Sequence, residues 1–321
     1  MTLRSGPLRI DVAATSANLG AGFDALALAL SLADIITVER ADALPPATIE
    51  LTVSGEGAGA IPLDGSDRFT IALRRGLAAA LDEPRDDPRS WHARSSWRIS
   101  MQNAIPLGRG LGSSAAVTIA GLVAADRLTG GHRLSQERLL ALAIEMEGHP
   151  DNAAAVLLGG FTVASVVDGE PVAVRLEPPT DLHVALFIPD RELATSAMRS
   201  VLPESVPRVD AVHNVGRTAL AVAAIATGRL GLLEAGTIYR LHEPYRAIAY
   251  PELPFLTAAA RRAGALGACL SGAGSTIIAF ADSRRLAAHV AAAMRDDAAG
   301  LGLAGRESVV ETRSSGVIVT E

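Results

Sequence analysis

The sequence predicts an α+β protein built as two units, and three observations carry that expectation. Its 321 residues exceed the needs of one minimal core and suit two units of about 150 residues each. Segments of strand-like and helical periodicity are mixed along the chain in an α+β order. A Pro178-Pro179 break follows two strand-like segments and marks a linker region, so the division expected is residues 1–170 and 171–321.

Leu8 to Ala14 reads as a strand, interrupted by the small and polar run Thr15 to Asp24 before the apolar stretch Ala25 to Leu32. Ile35 to Arg40 and Ile49 to Ser54 alternate as strands around a Pro45-Pro46 turn, and Thr70 to Leu81 has helical spacing. Asp82 to Ser96, with Pro84, Pro88 and a run of charges, reads as a solvated loop before the strand Trp97 to Asn103. Helices are expected at Ser114 to Leu128 and Ser135 to Met146, then a turn at Gly148 to Asp151, another helix and Gly159-Gly160. Phe161 to Val167 and Val172 to Leu176 alternate as strands. Beyond the break come strands at Leu182 to Pro189, Ala268 to Leu270, Thr276 to Ala281 and Ser308 to Val310. Helices are expected at Val209 to Thr227, Leu230 to Ala235, Phe255 to Ala263 and Arg284 to Ala298.

Composition excludes several functions. Aromatic residues are only 3% and the net charge is -6, so both base-stacking platforms and attraction to a phosphate backbone are missing and nucleic acid is not an expected partner. All 29 basic residues are arginine. A chain without lysine, acting alone, has no Walker-type phosphate loop, no protein-kinase strand lysine and no Schiff-base amine. Cys269, the single cysteine, cannot form an intrachain disulfide or a multi-thiolate metal site, and its apolar strand setting suits a buried thiol. Met1 to Val12 shows no apolar signal region, and Ala25 to Ala33 is too short to span a membrane. A cytoplasmic protein with no membrane partner is expected.

The segment Pro106-Leu107-Gly108-Arg109-Gly110-Leu111-Gly112-Ser113-Ser114-Ala115-Ala116 lies between a strand and a long helix. Its glycines let the backbone curl with N–H groups close to an anion, and the helix N-terminus adds unpaired donors and a positive dipole end. Such a site binds phosphate without lysine. The two serine hydroxyls supply further donors and an oxygen ligand for a hard cation.

This segment resembles the P-x-x-x-G-L-G-S-S-A-A phosphate loop of the GHMP kinase superfamily. Thr15 to Asp24 is similar to the family's first motif, and Leu270-Ser271-Gly272-Ala273-Gly274-Ser275-Thr276 to its third, so three ordered motifs span most of the chain. The resemblance implies a two-domain GHMP kinase-like fold, with a ribosomal S5 domain 2-like N-terminal domain and a ferredoxin-like C-terminal domain. It also implies ATP and Mg2+, with nucleotide contacts along Pro106 to Ala116 and at Gly272 and Gly274, and a homodimer.

Within the superfamily, Glu147-Gly148-His149-Pro150-Asp151-Asn152 followed by Gly159-Gly160, the stretch Thr195 to Pro203, and His242-Glu243-Pro244-Tyr245-Arg246 resemble the homoserine kinase branch. That branch phosphorylates the side-chain hydroxyl of L-homoserine in threonine biosynthesis. A small amino acid suits the residues: guanidinium forks at Arg199 and Arg246 for its carboxylate, Asp24 for its ammonium, and Asn18 and His149 for its hydroxyl end. Mevalonate needs no partner for an ammonium, which makes Asp24 the discriminating residue. Ser113 and Glu147 are the expected metal ligands, with Glu145 as a rival, and backbone N–H groups from Gly110 to Ser114 neutralise developing charge. Asp151, with His149 and Asn152, forms the expected catalytic group, Asp151 being either a base or a structural residue.

Two departures from the family stand out. Asp67-Arg68-Phe69 replaces the usual Asn-Leu pair near adenine, and Ser275-Thr276 replaces the usual Gly-Pro after the third-motif glycines. The rivals are another kinase of the superfamily, acting on mevalonate or a sugar, and a silent nucleotide-binding regulator. A Rossmann dehydrogenase is disfavoured because Gly108-Arg109-Gly110-Leu111-Gly112 lacks G-x-G-x-x-G spacing.

Overall fold

Alternating apolar residues pair the first two strands of the chain, and the rest of the first sheet grows from them. In the computed structural model, which describes residues 6–84, 87 and 89–321, β1 (Leu8–Ala17) runs antiparallel to β2 (Leu26–Arg40), with Ile10 opposite Ile36 and Leu8 opposite Val38. Part of the N-terminal segment and Arg85, Asp86 and Pro88 of the expected charged loop lie outside the described residues. The apolar stretch Ala25 to Leu32 and the strand Ile35 to Arg40, expected as separate pieces, are one 15-residue strand. β3 (Ile49–Gly55) and β4 (Trp97–Asn103) are parallel, joined by α1 (Arg68–Leu81) and the short α2 (Trp91–Arg94), which occupies the expected loop.

Next come α3 (Ser113–Leu128), α4 (Gln136–Glu147), α5 (Asp151–Leu158), β5 (Phe161–Val167) and β6 (Glu170–Leu176). Besides β1, the long β2 serves two further neighbours: its first residues pair with β5 and its last with β4. α3 is apolar nearly all round because it is buried, and Gly121 lets α1 approach it: a Cβ there would sit 2.6 Å from Phe69 O.

The second sheet uses β7 (His183–Pro189), then α6 (Thr195–Ser200), α7 (Arg208–Thr227), a 3-10 turn at Leu230–Leu232, α8 (Leu233–Gly236), α9 (Glu243–Ala249) and α10 (Leu253–Arg262). β8 (Gly267–Leu270), β9 (Ile277–Ala281), α11 (Arg284–Gly300), β10 (Gly305–Glu311) and β11 (Ile318–Thr320) complete the described elements. The antiparallel order β10-β7-β9-β8 is that of a ferredoxin-like split βαβ unit. Val184, Leu186 and Ile188 of β7 join the large core of the first unit, whereas Ala185 and Phe187 join a second core with residues of α10 and α11. Burial of both sheet faces explains why β7 reads as a continuous apolar run.

The sheets do not divide at residue 170. All of β6 pairs with β5 in the first sheet, and β11 returns from the chain's end to lie beside β1, with Ile318 opposite Asp11. The returning tail explains Gly159: a Cβ there would lie 2.4 Å from Ser314 O, at a φ of +73°.

Asp34 of β2 fixes where β4 turns into the glycine-rich segment. Its Oδ1 accepts the N–H groups of Ala104 (2.7 Å) and Ile105 (2.8 Å), and burial raises its pKa to about 6 against those bonds. The folded state therefore holds this proton more tightly than the unfolded chain, and the associated stability, present below about pH 4, is lost as pH rises through about 6. Unfolding free energies of wild type and Asp34→Asn across pH 4 to 7 should diverge accordingly, the wild type losing ground as pH rises. A constant difference would contradict this assignment.

Candidate functional site

Three glycine-bearing segments, from the two ends and the middle of the chain, meet backbone to backbone where the two units join. Leu111 O accepts from Thr15 N (3.0 Å), Arg109 O from Thr276 N (3.1 Å), and Ala17 O from Gly272 N (3.0 Å). Ser271 Oγ donates to Gly110 O (2.7 Å) and shares a hydrogen bond with Ser16 Oγ (2.8 Å). Only glycine fits at the closest points: at a φ of +73° a Cβ on Gly110 would stand 2.1 Å from Ser271 O, and one on Gly112 1.9 Å from Thr15 Oγ1. Gly274 packs against Leu270 of its own segment and Leu193, which follows β7.

The segment delivers an open helix end. Gly112 is the N-cap of α3, in the left-handed region and without a side-chain cap, so the first-turn N–H groups face the cavity lined by Gly110, Ser113, Ser114 and Ala115. Pro106 and Gly108 also line it, while Leu107 faces an adjoining apolar cleft and Ala116 is buried in the core. Arg109 turns away: it donates to Leu107 O, Pro189 O and Asp190 O and pairs with Glu192, fastening the segment to the end of β7.

Glu147, at the end of α4, reaches the same helix end. Its Oε1 accepts from Arg68 Nη2 (2.6 Å), Thr118 Oγ1 (2.7 Å) and Ser114 Oγ (3.1 Å). The serine beside Glu147 is thus Ser114, rather than the expected Ser113. Glu145 points elsewhere and pairs with Arg75 and Arg138, at a surface pocket that α1 and α4 share. Arg68, from the segment that departs from the family, also donates to Met146 O and Thr118 Oγ1, so the substitution near the cleft tethers α1 to the acid. Asp67 caps α1 by accepting from Thr70 N.

The opposite wall carries the remaining polar groups. Oxygen and nitrogen atoms of Asp24, His149 and Asp151 lie within 4.8 Å of one another. Asp151, at the start of α5, is buried; its Oδ1 faces His149 Nδ1 at 2.7 Å and accepts Asn152 N–H at 2.7 Å. Burial disfavours the charged imidazole, but the hydrogen bond and charge of Asp151 outweigh it, and the His149 pKa rises above its usual value. Asn152 Oδ1 accepts from Thr15 Oγ1 (2.8 Å), another tie between α5 and the first segment. Asn18, at a φ of +68°, gives Nδ2 to Gly272 O and takes Asp24 N–H on Oδ1, so it organises the wall with both ends of its amide.

Two arginines complete the cavity. Arg199 of α6 and Asp24 form a bidentate pair, at 2.6 and 3.0 Å, with both side chains about one-third exposed. Arg246 of α9 is 1% exposed and has no hydrogen-bonded carboxylate partner among the described residues: Nε donates to Met198 O, and Nη1 to Gly272 O and His242 Nδ1. All three acceptors are neutral, so a buried cation lines the cavity with no carboxylate in hydrogen-bond contact, and burial lowers its pKa against the more distant charges of Asp24 and Asp151. Sequence reading found the arginine but not its holder, His242, which stood inside a quoted motif.

Comparison with known proteins places the chain in a family. Residues 75–160 match the family model for the GHMP kinases N terminal domain, and residues 221–300 that for the GHMP kinases C terminal domain. A homoserine kinase of Streptomyces coelicolor is 44% identical over 282 residues, covering 87% of this chain and 86% of that protein. The chain belongs to the homoserine kinase branch of the GHMP kinases. A homoserine kinase of Deinococcus radiodurans is 37% identical over 322 residues, covering 99% of each chain. The crystal structure of homoserine kinase from Cytophaga hutchinsonii matches all of this chain and 99% of its own, with a TM-score of 0.85 and 27% identity. Among the described residues no helix is long and apolar enough to cross a membrane.

The His149–Asp151 contact is testable without substrate. In Asp151→Asn the His149 pKa should fall, because the charge that favours imidazolium is gone. Titration of the imidazole by NMR reads it, and an unchanged value would show that the two side chains are not coupled.

Proposed function

We propose that the protein transfers the γ-phosphoryl group of ATP to the side-chain hydroxyl of L-homoserine, giving O-phospho-L-homoserine and ADP. The observation that carries this reading is Arg246, a buried guanidinium whose hydrogen-bond acceptors among the described residues are all neutral, on a cavity that adjoins the open end of α3. A buried cation without a directly hydrogen-bonded counter-charge is costly, and a ligand carboxylate supplies that partner. Homoserine adds an ammonium for Asp24 and, once Asp24 turns to that ammonium, a carboxylate that also frees Arg199 from its present pair. Mevalonate and sugars bring no such zwitterion.

The triphosphate lies against Gly110 to Ala115, where backbone N–H groups and the α3 dipole take the place of lysine. The base occupies the apolar cleft lined by Ile61, Pro62, Met101, Leu107 and Val117. Mg2+ suits the pair Ser114 and Glu147: both offer hard oxygen donors, and every hydrogen bond to Glu147 uses Oε1, which leaves Oε2 unengaged among the described residues. When bound, the ion neutralises phosphate charge.

Phosphoryl transfer through a loose transition state asks mainly for alignment and charge neutralisation. The hydroxyl oxygen forms its bond to γ-phosphorus as the bond to the β–γ bridging oxygen breaks, with that electron pair leaving on ADP. The hydroxyl proton passes to His149, which Asp151 orients and makes more basic. Asn18 and Asn152 hold the wall in register.

A coupled ADP-release assay across L-homoserine, L-threonine, mevalonate and galactose tests the reading, with homoserine expected to turn over fastest. Arg246→Met should raise KM for homoserine by about two orders of magnitude while shifting KM for ATP by less than about threefold. Equal turnover of mevalonate, or equal effects on the two KM values, would reject it.

A further inference from the structure

His242 has no role in the scheme above, yet among the described residues it is the one side chain hydrogen-bonded to Arg246. We propose that His242 is a positioning residue which, as a neutral imidazole, fixes the Arg246 guanidinium for the substrate carboxylate; this rests on the carboxylate role just given to Arg246.

Both ring nitrogens are committed, and their partners dictate the tautomer. Nε2 stands 3.2 Å from Gly20 O, which can only accept, so Nε2 carries the hydrogen. Nδ1 stands 3.0 Å from Arg246 Nη1, which can only donate, so Nδ1 presents its lone pair. The neutral Nε2–H form alone satisfies both contacts; an imidazolium would set a second N–H against the guanidinium. The fully buried ring keeps this form, since burial and then the charge of Arg246 hold its pKa well below the usual histidine value. Tyr239 and Phe23 pack against the ring at centroid distances of 4.1 and 4.9 Å, and the Phe23 ring also underlies both guanidiniums.

Neutrality is the physical point. A glutamate or aspartate at this place would grip Arg246 more strongly but would also cancel its charge. Histidine supplies a directed acceptor and no counter-charge, so the cation keeps its attraction for an incoming carboxylate. The second contact gives the arginine a fixed address: Gly20 belongs to the first motif, four residues before Asp24, so the two subsites for the zwitterion share one register.

The test compares His242→Asn, His242→Phe and His242→Asp in the full chain. Steady-state constants are measured for L-homoserine, for ATP and for 3-aminopropan-1-ol, the acceptor that lacks only the carboxylate, alongside calorimetric binding of L-homoserine. His242→Phe, which keeps a ring but no acceptor, and His242→Asp, which keeps an acceptor but adds charge, should each weaken homoserine by about tenfold or more in KM and Kd. KM for ATP should stay within about twofold, the amino alcohol should show no matching loss, and His242→Asn, with an uncharged acceptor near Nδ1, should restore most of the affinity. Equal losses for homoserine and the amino alcohol, or wild-type homoserine affinity in His242→Asp, would overturn the proposal. A wild type that binds homoserine without phosphorylating it would sink the kinase reading alone, and the calorimetric ratios would still decide His242. A wild type that binds no homoserine would overturn both.

Discussion

Every functional group in this molecule depends on one close approach, the packing of the central glycine segment against segments from either end of the chain. Leu111 O and Arg109 O accept N–H groups from Thr15 and Thr276, and Gly110 presses on Ser271 with no space for a methyl group. That contact sets the open end of α3, and through Asn18 and Gly272 it also sets Asp24 and Arg246. The anion site and the amino-acid site proposed above are two faces of a single backbone arrangement, so one cannot shift without the other.

The absence of lysine shapes the electrostatics. In the proposed site, fixed N–H groups stand where a flexible ammonium would otherwise meet the phosphates, and the arginines are divided by task. Arg109 is spent on backbone carbonyls and Arg68 on Glu147. Arg199 is paired while partly exposed, and Arg246 is buried among neutral acceptors. Exposed pairs are cheap to exchange, since solvent already screens them, whereas an unmatched buried cation binds an anion strongly. Under the proposed binding mode, a zwitterionic substrate meets an exchangeable pair at one end and a fixed cation at the other.

Much of this was legible in the sequence, and the gaps have physical causes. Period-two alternation located β1, β3, β4 and β5, a continuous apolar run located β7, and the glycine string located the start of α3, because these are local patterns. The bridging of Ala33 and Asp34 into a single long β2 was not legible: a charged residue reads as an interruption until the turn N–H groups it accepts are seen. The short α6 and α9 and the returning β11 carry too few residues for a periodic signal, and their place is fixed by tertiary contact. In the site, motif resemblance found Asp24, Arg199 and Arg246. It did not separate Ser113 from Ser114 or Glu145 from Glu147, because neighbours on a helix differ in direction rather than in type. His242 was hidden for a related reason: its partners are a backbone carbonyl and an arginine, contacts that only coordinates reveal.

The most direct measurement is a crystal structure with L-homoserine and a non-hydrolysable ATP analogue bound together. The expected result has the carboxylate on Arg246, the ammonium on Asp24 with the Asp24–Arg199 pair opened, and the hydroxyl between His149 and the γ-phosphate at the α3 N-terminus. A carboxylate bound away from Arg246, or an Asp24–Arg199 pair still closed with the amino acid in place, would contradict the central claim.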